Sequence, residues 1–337
     1  MAKPIVAITI GDPAGVGPEV VLKALKHPEV GKACRPLILG DLGVLQRVQR
    51  RKGGQPVRFL AWQMGQPLPR SPGTVPVLSL TNLSPKDSQP GRPSRACGEA
   101  AYRYISTAVK LVLARTANAM ATAPISKKGL HLAGHRYPGH TEMLAEMTRT
   151  RECRMMLSGK NLKVVLVTVH LPLAQVSKVI TRRKVRVTLE LAHKALRQYF
   201  GISRPRLAVT GLNPHAGEDG IFGLEEKKII HPAVKDACRL GVRAYGPLAA
   251  DSLFYQAVRG DYDSVVCMYH DQGLGPFKLL HFVDGVNLTL GLPIIRTSAD
   301  HGTAYDIAGK NMANGSSMKE AILLASRLAR SKRGTKT

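Results

Sequence analysis

The chain has 337 residues, with 49 Lys and Arg against 23 Asp and Glu, for a formal net charge of +26. At 44% hydrophobic and 21% charged residues it has the composition of a globular protein, long enough for two lobes or one large α/β domain with a substantial core. No run approaches the roughly 20 apolar residues of a membrane helix, and the scattered Cys34, Cys97, Cys153, Cys238 and Cys267 contain no C-x-x-C pair, which argues against a disulfide framework or a zinc ribbon.

The N-terminus MAKPIVAITI enters a strand without a signal-peptide layout, so a cytoplasmic location and no membrane partner are expected. The excess of positive charge favours anionic partners, either nucleic acid or phosphorylated small molecules. Much of it sits in the clusters Arg47–Lys52, Arg182–Arg186 and Arg327–Lys336. These contain few aromatics and match no nucleic-acid module, so they read as solvated faces, and no nucleic-acid partner is expected.

Lys3–Ile10 reads as a first strand. It is followed by a glycine-rich turn, Gly11 to Gly17, and a helix with Pro18 in its first turn running to about Leu25. The turn has the order G-x-x-x-G-x-G rather than G-x-G-x-x-G, and its plain reading is a tight turn. Pro36–Leu39 is a second strand. Arg50–Arg95 is rich in Pro, Gly, Ser and basic residues, with weak strand signals at Val57–Leu60 and Val75–Leu80, and reads as peripheral. Helical spacing over Gly98–Arg115 leads to a strand at Ala119–Thr122.

Thr122–Leu144 carries Lys127, Lys128 and then Gly139-His140-Thr141-Glu142 opening a helix. Such an opening suits a phosphate, which helix N-terminal amides, a hydroxyl and an imidazole can hold. It equally suits an ordinary Thr cap with a first-turn Glu. Helices follow at Leu173–Ile180, Val185–Phe200 and Leu224–Leu240, with Asp251 at the start of another. The last elements are strands at Val286–Leu290 and Pro293–Ser298 and a helix over Ser317–Leu328.

Three β-prone runs end at or near a histidine: Lys163–Val169 at His170, Arg206–Thr210 a few residues before His215, and Ser264–Tyr269 at His270. In open α/β sheets the carboxyl ends of the strands are where ligands bind. Three neutral imidazoles can hold a divalent metal and leave positions open for substrate. The alternative is that each is a satisfied polar residue at a strand end. The alternation of strands and helices throughout predicts an α/β fold with mainly parallel sheets flanked by helices.

The motifs GDPAGVGPE, PGHTE, VHLPL, GLNPHAGE, MYHDQG and DGVNLTLGLPIIRTSADHGTAYDIAG, in this order, resemble the 4-hydroxythreonine-4-phosphate dehydrogenase family of vitamin B6 synthesis. The two ends are also similar to the isocitrate and isopropylmalate dehydrogenases. The resemblance implies a two-lobed fold, with residues 1–125 plus 285–337 in one lobe, 126–284 in the other, and the active site in the cleft between them. It implies oxidation of 4-phosphohydroxy-L-threonine at C3 with NAD or NADP and one divalent ion, whether zinc, magnesium or cobalt, in a homodimer whose site lies at the interface. A sister activity on 4-phospho-D-threonate or 4-phospho-D-erythronate would use the same machinery.

On the family pattern His170, His215 and His270 hold the metal, the first two from one subunit and the third from the other. His140, Thr141, Lys278, Asn287 and Arg296 contact substrate; Lys278 or Asp251 transfers the proton; and His301, Gly302, Thr303 and Asp306 lie beside the nucleotide. The chain departs from the pattern at Ser126, usually Asn or His, and at Gly129, often acidic. Ala249 also stands where the family has proline.

Overall fold

The structure, a computed structural model, describes residues 2–52, 56–69 and 73–334. Parts of the Arg50–Arg95 stretch and the end of the basic tail Arg327–Lys336 lie outside the described residues. The described residues divide into two compact units, one built on residues 1–151 with 292–330 and the other on 152–291.

In the first unit the strands are β1 (Ile5–Thr9), β2 (Arg35–Gly40), β3 (Arg58–Ala61), β4 (Thr74–Ser79), β5 (Ala119–Thr122) and, late in the chain, β12 (Arg296–Ala299). They run in the order β3-β4-β2-β1-β5-β12, and every pairing is parallel. Buried Val, Ile, Leu and Ala fill β1, β2 and β5, as expected of strands covered on both faces. The weak strand signals of the Arg50–Arg95 region correspond to β3 and β4 at the sheet's edge.

The first unit's helices are α1 (Gly17–Leu25), α2 (Pro28–Ala33), α3 (Leu42–Lys52), α4 (Arg95–Leu113), α5 (Lys127–Leu132), α6 (His140–Met147) and the terminal α12 (Ser316–Gly334). Ser94 caps α4 by accepting the Cys97 N–H at 3.1 Å. This helix packs on β1, β2 and β5 through Tyr104, Ile105 and Ala108.

Residues 126–151 pack with the first unit rather than the second, against the boundary expected, because α5 lies directly on α4. A Cβ at Gly98 would stand 1.9 Å from the Gly129 carbonyl oxygen, so both backbones come closer than any side chain permits. This contact requires glycine at position 98, whereas a Cβ at Gly129 would stand 3.3 Å from Ser126 Cβ and 3.5 Å from Asp12 Oδ2. Ser126 also has a local role, its hydroxyl capping α5 through the Gly129 N–H at 3.0 Å.

The second unit contains β6 (Arg154–Ser158), β7 (Lys163–Leu166), β8 (Arg206–Thr210), β9 (Arg243–Leu248), β10 (Ser264–Cys267) and β11 (Val286–Leu290), ordered β11-β6-β7-β10-β8-β9. The β7, β10, β8 and β9 pairings are parallel, whereas β6 is antiparallel to both β7 and β11. The antiparallel pairing draws residues 286–290 into this unit, where the first had been expected to hold them.

Its helices are α7 (Leu173–Val179), α8 (Arg182–Gln198), α9 (His231–Arg239), α10 (Ala250–Val258) and α11 (His270–His281). The helix expected over Leu224–Leu240 contains a π-helical turn, Glu226–Ile230, ahead of α9. Leu157, Val164, Leu166, Ala208, Val265 and Phe277 form a buried core with Leu253 and Ala257, under α10 and α11.

Candidate active site

The register of β7 on β10, with Leu166 opposite Cys267, brings two of the predicted histidines together. Pairing continues past both strands, since the Thr168 N–H and hydroxyl both donate to the Met268 carbonyl, at 3.2 and 2.7 Å. His170 and His270 therefore leave the sheet edge side by side, with ring centroids 5.6 Å apart. A ring whose nitrogen is about 2.1 Å from an ion has its centroid roughly 3.2 Å away, so two ligating rings stand about 5 Å apart at tetrahedral angles. The observed separation of 5.6 Å is close to that spacing. His270 is the first residue of α11, and its Nδ1 is 2.7 Å from Asp271 Oδ1, a carboxylate contact that leaves Nε2 for a metal.

His215 lies elsewhere, on the turn after β8, with its ring 6.3 Å from Phe222. Among the described residues of one chain no three His, Cys, Asp or Glu side chains converge to hold a metal. Within one chain the rings that stand close together are those of His170 and His270. Gln272 braces this edge. Its Oε1 accepts the Met268 N–H and the Thr210 hydroxyl, each at 2.8 Å, and its Nε2 donates to the Gly211 carbonyl at 2.7 Å. Gln272 is not among the residues that the sequence singles out, although it lies within MYHDQG.

Lys278 is on α11 about two turns beyond His270, with its Nζ 5.5 Å from the centre of the Phe282 ring. Asp251 is exposed in the first turn of α10 and accepts the Ser252 N–H at 2.9 Å. Asn287 is in β11, and its Oδ1 is shielded from solvent without a hydrogen-bond partner.

In the first unit, Arg296 opens β12 and is 2% exposed. Burial pulls its guanidinium down to about 9, still cationic at neutral pH, and Thr122 Oγ1 accepts from it at 2.8 and 3.2 Å. His140 is the first residue of α6, whose cap Gly139 offers no side-chain acceptor to the helix amides. Burial, reinforced by the Arg296 charge, pushes the His140 imidazole well below its ordinary value, and its Nε2 has neither solvent nor a partner. Thr141 follows in the same helical turn. Arg296 and His140 are thus a cation and an uncharged imidazole in the same buried region.

His301 Nε2 is a further shielded atom without a partner; Nδ1 lies 3.1 Å from the Gly302 carbonyl. The loop His301–Asp306, including exposed Gly302 and Asp306, rests on the glycine-rich turn. Thr303 O accepts the Val16 N–H at 3.0 Å and the Tyr305 hydroxyl donates to Asp12 at 2.5 Å. Asp12 is buried, which raises its pKa, and it also accepts the Ala14 N–H at 2.8 Å. The amides of Asp12, Gly15 and Val16 are all taken by protein carbonyls. The turn is a brace for the following loop, not a phosphate cradle.

The three arginines of the basic cluster Arg182–Arg186 form ion pairs. Arg182 forms two bonds to Asp236 at 2.5 and 2.6 Å, Arg183 meets Glu152 at 2.6 Å and Arg186 meets Glu190 at 2.9 Å. Among the described residues no helix is long and apolar enough to cross a membrane.

Parallel strands that present imidazoles at their carboxyl ends mark an α/β enzyme acting on a small polar substrate. The profile of the family described as "Pyridoxal phosphate biosynthetic protein PdxA" matches residues 32–325. The chain is 51% identical over 334 residues to the 4-hydroxythreonine-4-phosphate dehydrogenase of Geobacter metallireducens, covering 98% of this chain and 97% of that one. It is 47% identical to the D-threonate 4-phosphate dehydrogenase of Cupriavidus necator, over 97% of each. The crystal structure of 4-hydroxythreonine-4-phosphate dehydrogenase from Klebsiella pneumoniae superposes with a TM-score of 0.89 at 42% identity, covering 97% of this chain and 98% of that one. The chain belongs to the pyridoxal phosphate biosynthetic protein PdxA family.

Proposed function

We propose that the protein is an NAD- or NADP-linked dehydrogenase that oxidises 4-phosphohydroxy-L-threonine at C3, and that the 3-keto acid then loses carbon dioxide to give 3-amino-2-oxopropyl phosphate. The observation that carries this reading is the set of shielded, unpartnered polar atoms at His140, Asn287 and His301. Buried polar groups are nearly always hydrogen-bonded, and these three fall on residues that the family pattern assigns to substrate or nucleotide.

His170 and His270 would hold a divalent ion such as zinc, magnesium or cobalt, with His215 completing the set. On the family pattern the set is completed across a homodimer, with His170 and His215 from one copy and His270 from the other. The metal would supply Lewis acidity at the C3 hydroxyl oxygen, and a nicotinamide would take the hydride from C3. Arg296, His140, Thr141 and the uncapped amides of α6 bind the phosphate, and Asn287 donates to or accepts from the polar groups of the substrate. Lys278 receives the C3 hydroxyl proton, with Asp251 the second candidate. The loop His301–Asp306 seats the nucleotide. A cytoplasmic location fits such an enzyme.

The identity with a relative named for D-threonate 4-phosphate supports a second reading, oxidation of 4-phospho-D-threonate or 4-phospho-D-erythronate with the same residues. Reduction of NAD by the purified protein, with added zinc or magnesium, is measured on all three compounds. Turnover of the amino acid alone, lost in His215→Ala, is the expected result. Turnover of the sugar acids alone replaces it with the second reading.

A further inference from the structure

We propose that Glu226 is a positioning residue that holds His215 in a ligand-ready turn; this rests on the reading of His215 as a metal ligand. Residues His215, Ala216, Gly217, Glu218 and Asp219 are consecutive and all left-handed, with φ of 49, 54, 82, 38 and 55°. A single such residue is unremarkable in a turn, but each one other than glycine costs about 1–2 kcal/mol. A run of this kind persists only where its surroundings impose it.

The Glu226 side chain supplies that imposition. It is 4% exposed and begins the π-helical turn, an irregularity that re-aims a side chain out of regular helix spacing. Oε1 accepts the N–H groups of Leu212 and Asn213 at 2.7 and 2.8 Å, and Oε2 accepts from Asn213 Nδ2 at 3.0 Å. A buried carboxylate is costly unless it is hydrogen-bonded in this way. Gly217 admits it, since a Cβ there would stand 2.6 Å from Glu226 Oε2.

Both ends of the turn are tied as well. Gly211 donates to the Leu248 carbonyl at 2.8 Å and accepts from Gln272, while Lys227 Nζ donates to the Asp219 carbonyl. Glu226 touches the backbone before His215 and the inner side of the turn after it. It acts on the imidazole only through that backbone.

The test uses the full chain. In protein freed of metal with chelator, Glu226→Ala is expected to speed hydrogen exchange at the Leu212 and Asn213 amides by about tenfold or more, leaving Ala208 and Val209 in β8 unchanged. Titration with cobalt(II) chloride, followed by its visible absorption, is expected to show affinity lowered by about ten- to a hundred-fold. Glu226→Gln, which keeps an acceptor at Oε1, should restore both to near wild type. Gly217→Ala should reproduce the cobalt defect with Glu226 intact, and serves if Glu226→Ala does not fold. Unchanged exchange overturns the brace, and fast exchange with wild-type cobalt affinity overturns the positioning role. If His215→Ala binds cobalt as wild type does, the ligand reading of His215 falls instead, a result on which the exchange rates do not depend.

Discussion

Arg296 donates from both Nη2 and Nε to the hydroxyl of Thr122, so β12 and β5 are joined by side chains as well as by their parallel ladder. Replacing Thr122 by valine keeps the shape and removes an acceptor from a buried cation. A loss of about 1–3 kcal/mol is expected in urea unfolding, together with a higher KM for the phosphorylated substrate as the guanidinium loses its fixed direction. An unchanged unfolding midpoint would show that the hydroxyl does not restrain Arg296.

His140 gives a pH dependence of defined sign. Its folded pKa is depressed, so below the ordinary value near 6.5 the unfolded chain takes up a proton that the folded one refuses. Stability from this residue is therefore complete above that pH and falls as pH drops through it, by up to about 1.4 kcal/mol per pH unit. His140→Gln should flatten the wild-type stability curve between about pH 6.5 and 5, and identical slopes for the two proteins would refute the assignment.

Gln272 ties the ends of β8 and β10 together through three hydrogen bonds. Gln272→Met fills similar volume while orphaning the Met268 N–H and the Gly211 carbonyl, at a cost of about 2–4 kcal/mol. Gln272→Glu keeps the Oε1 acceptor and turns only the donor to Gly211 into an anion. Its unfolding free energy should fall between the other two, and the order of the three midpoints checks this.

The thiols separate by burial. Desolvation pushes Cys34 up to about 12, Cys97 to about 11 and Cys267 higher still, whereas Cys238 is exposed. A thiol-exchange reagent near pH 8 should modify Cys238 fast and these three only on unfolding. Mass mapping of the labelled sites reads the outcome, and early labelling of Cys267 would contradict its burial.

The strands carrying the histidines were legible because β7, β8 and β10 are short, β-branched and stop at polar residues. Less visible was α11: Gly273, Gly275 and Pro276 break its helical pattern, yet Gly273 is needed where a Cβ would stand 2.5 Å from Val164. The strand β6 was missed as well, since Arg-Met-Met-Leu-Ser has no strand preference and is recruited by two antiparallel neighbours. The left-handed turn at His215 has no residue signature, as four of its five members are not glycine. The need for glycine at position 98, where a Cβ would strike the Gly129 carbonyl, is likewise revealed only by the packed helices.

The glycine-rich turn has a practical consequence for anyone seeking to change the nucleotide this enzyme accepts. In a dinucleotide fold of the usual kind, rewriting the first glycine loop alters how the coenzyme is gripped. Here Val16 and Asp12 hold Thr303 and Tyr305 in place, so the same edit would loosen the loop His301–Asp306, which the family pattern sets beside the coenzyme, and on that pattern selectivity is better redesigned at Asp306 and its exposed neighbours.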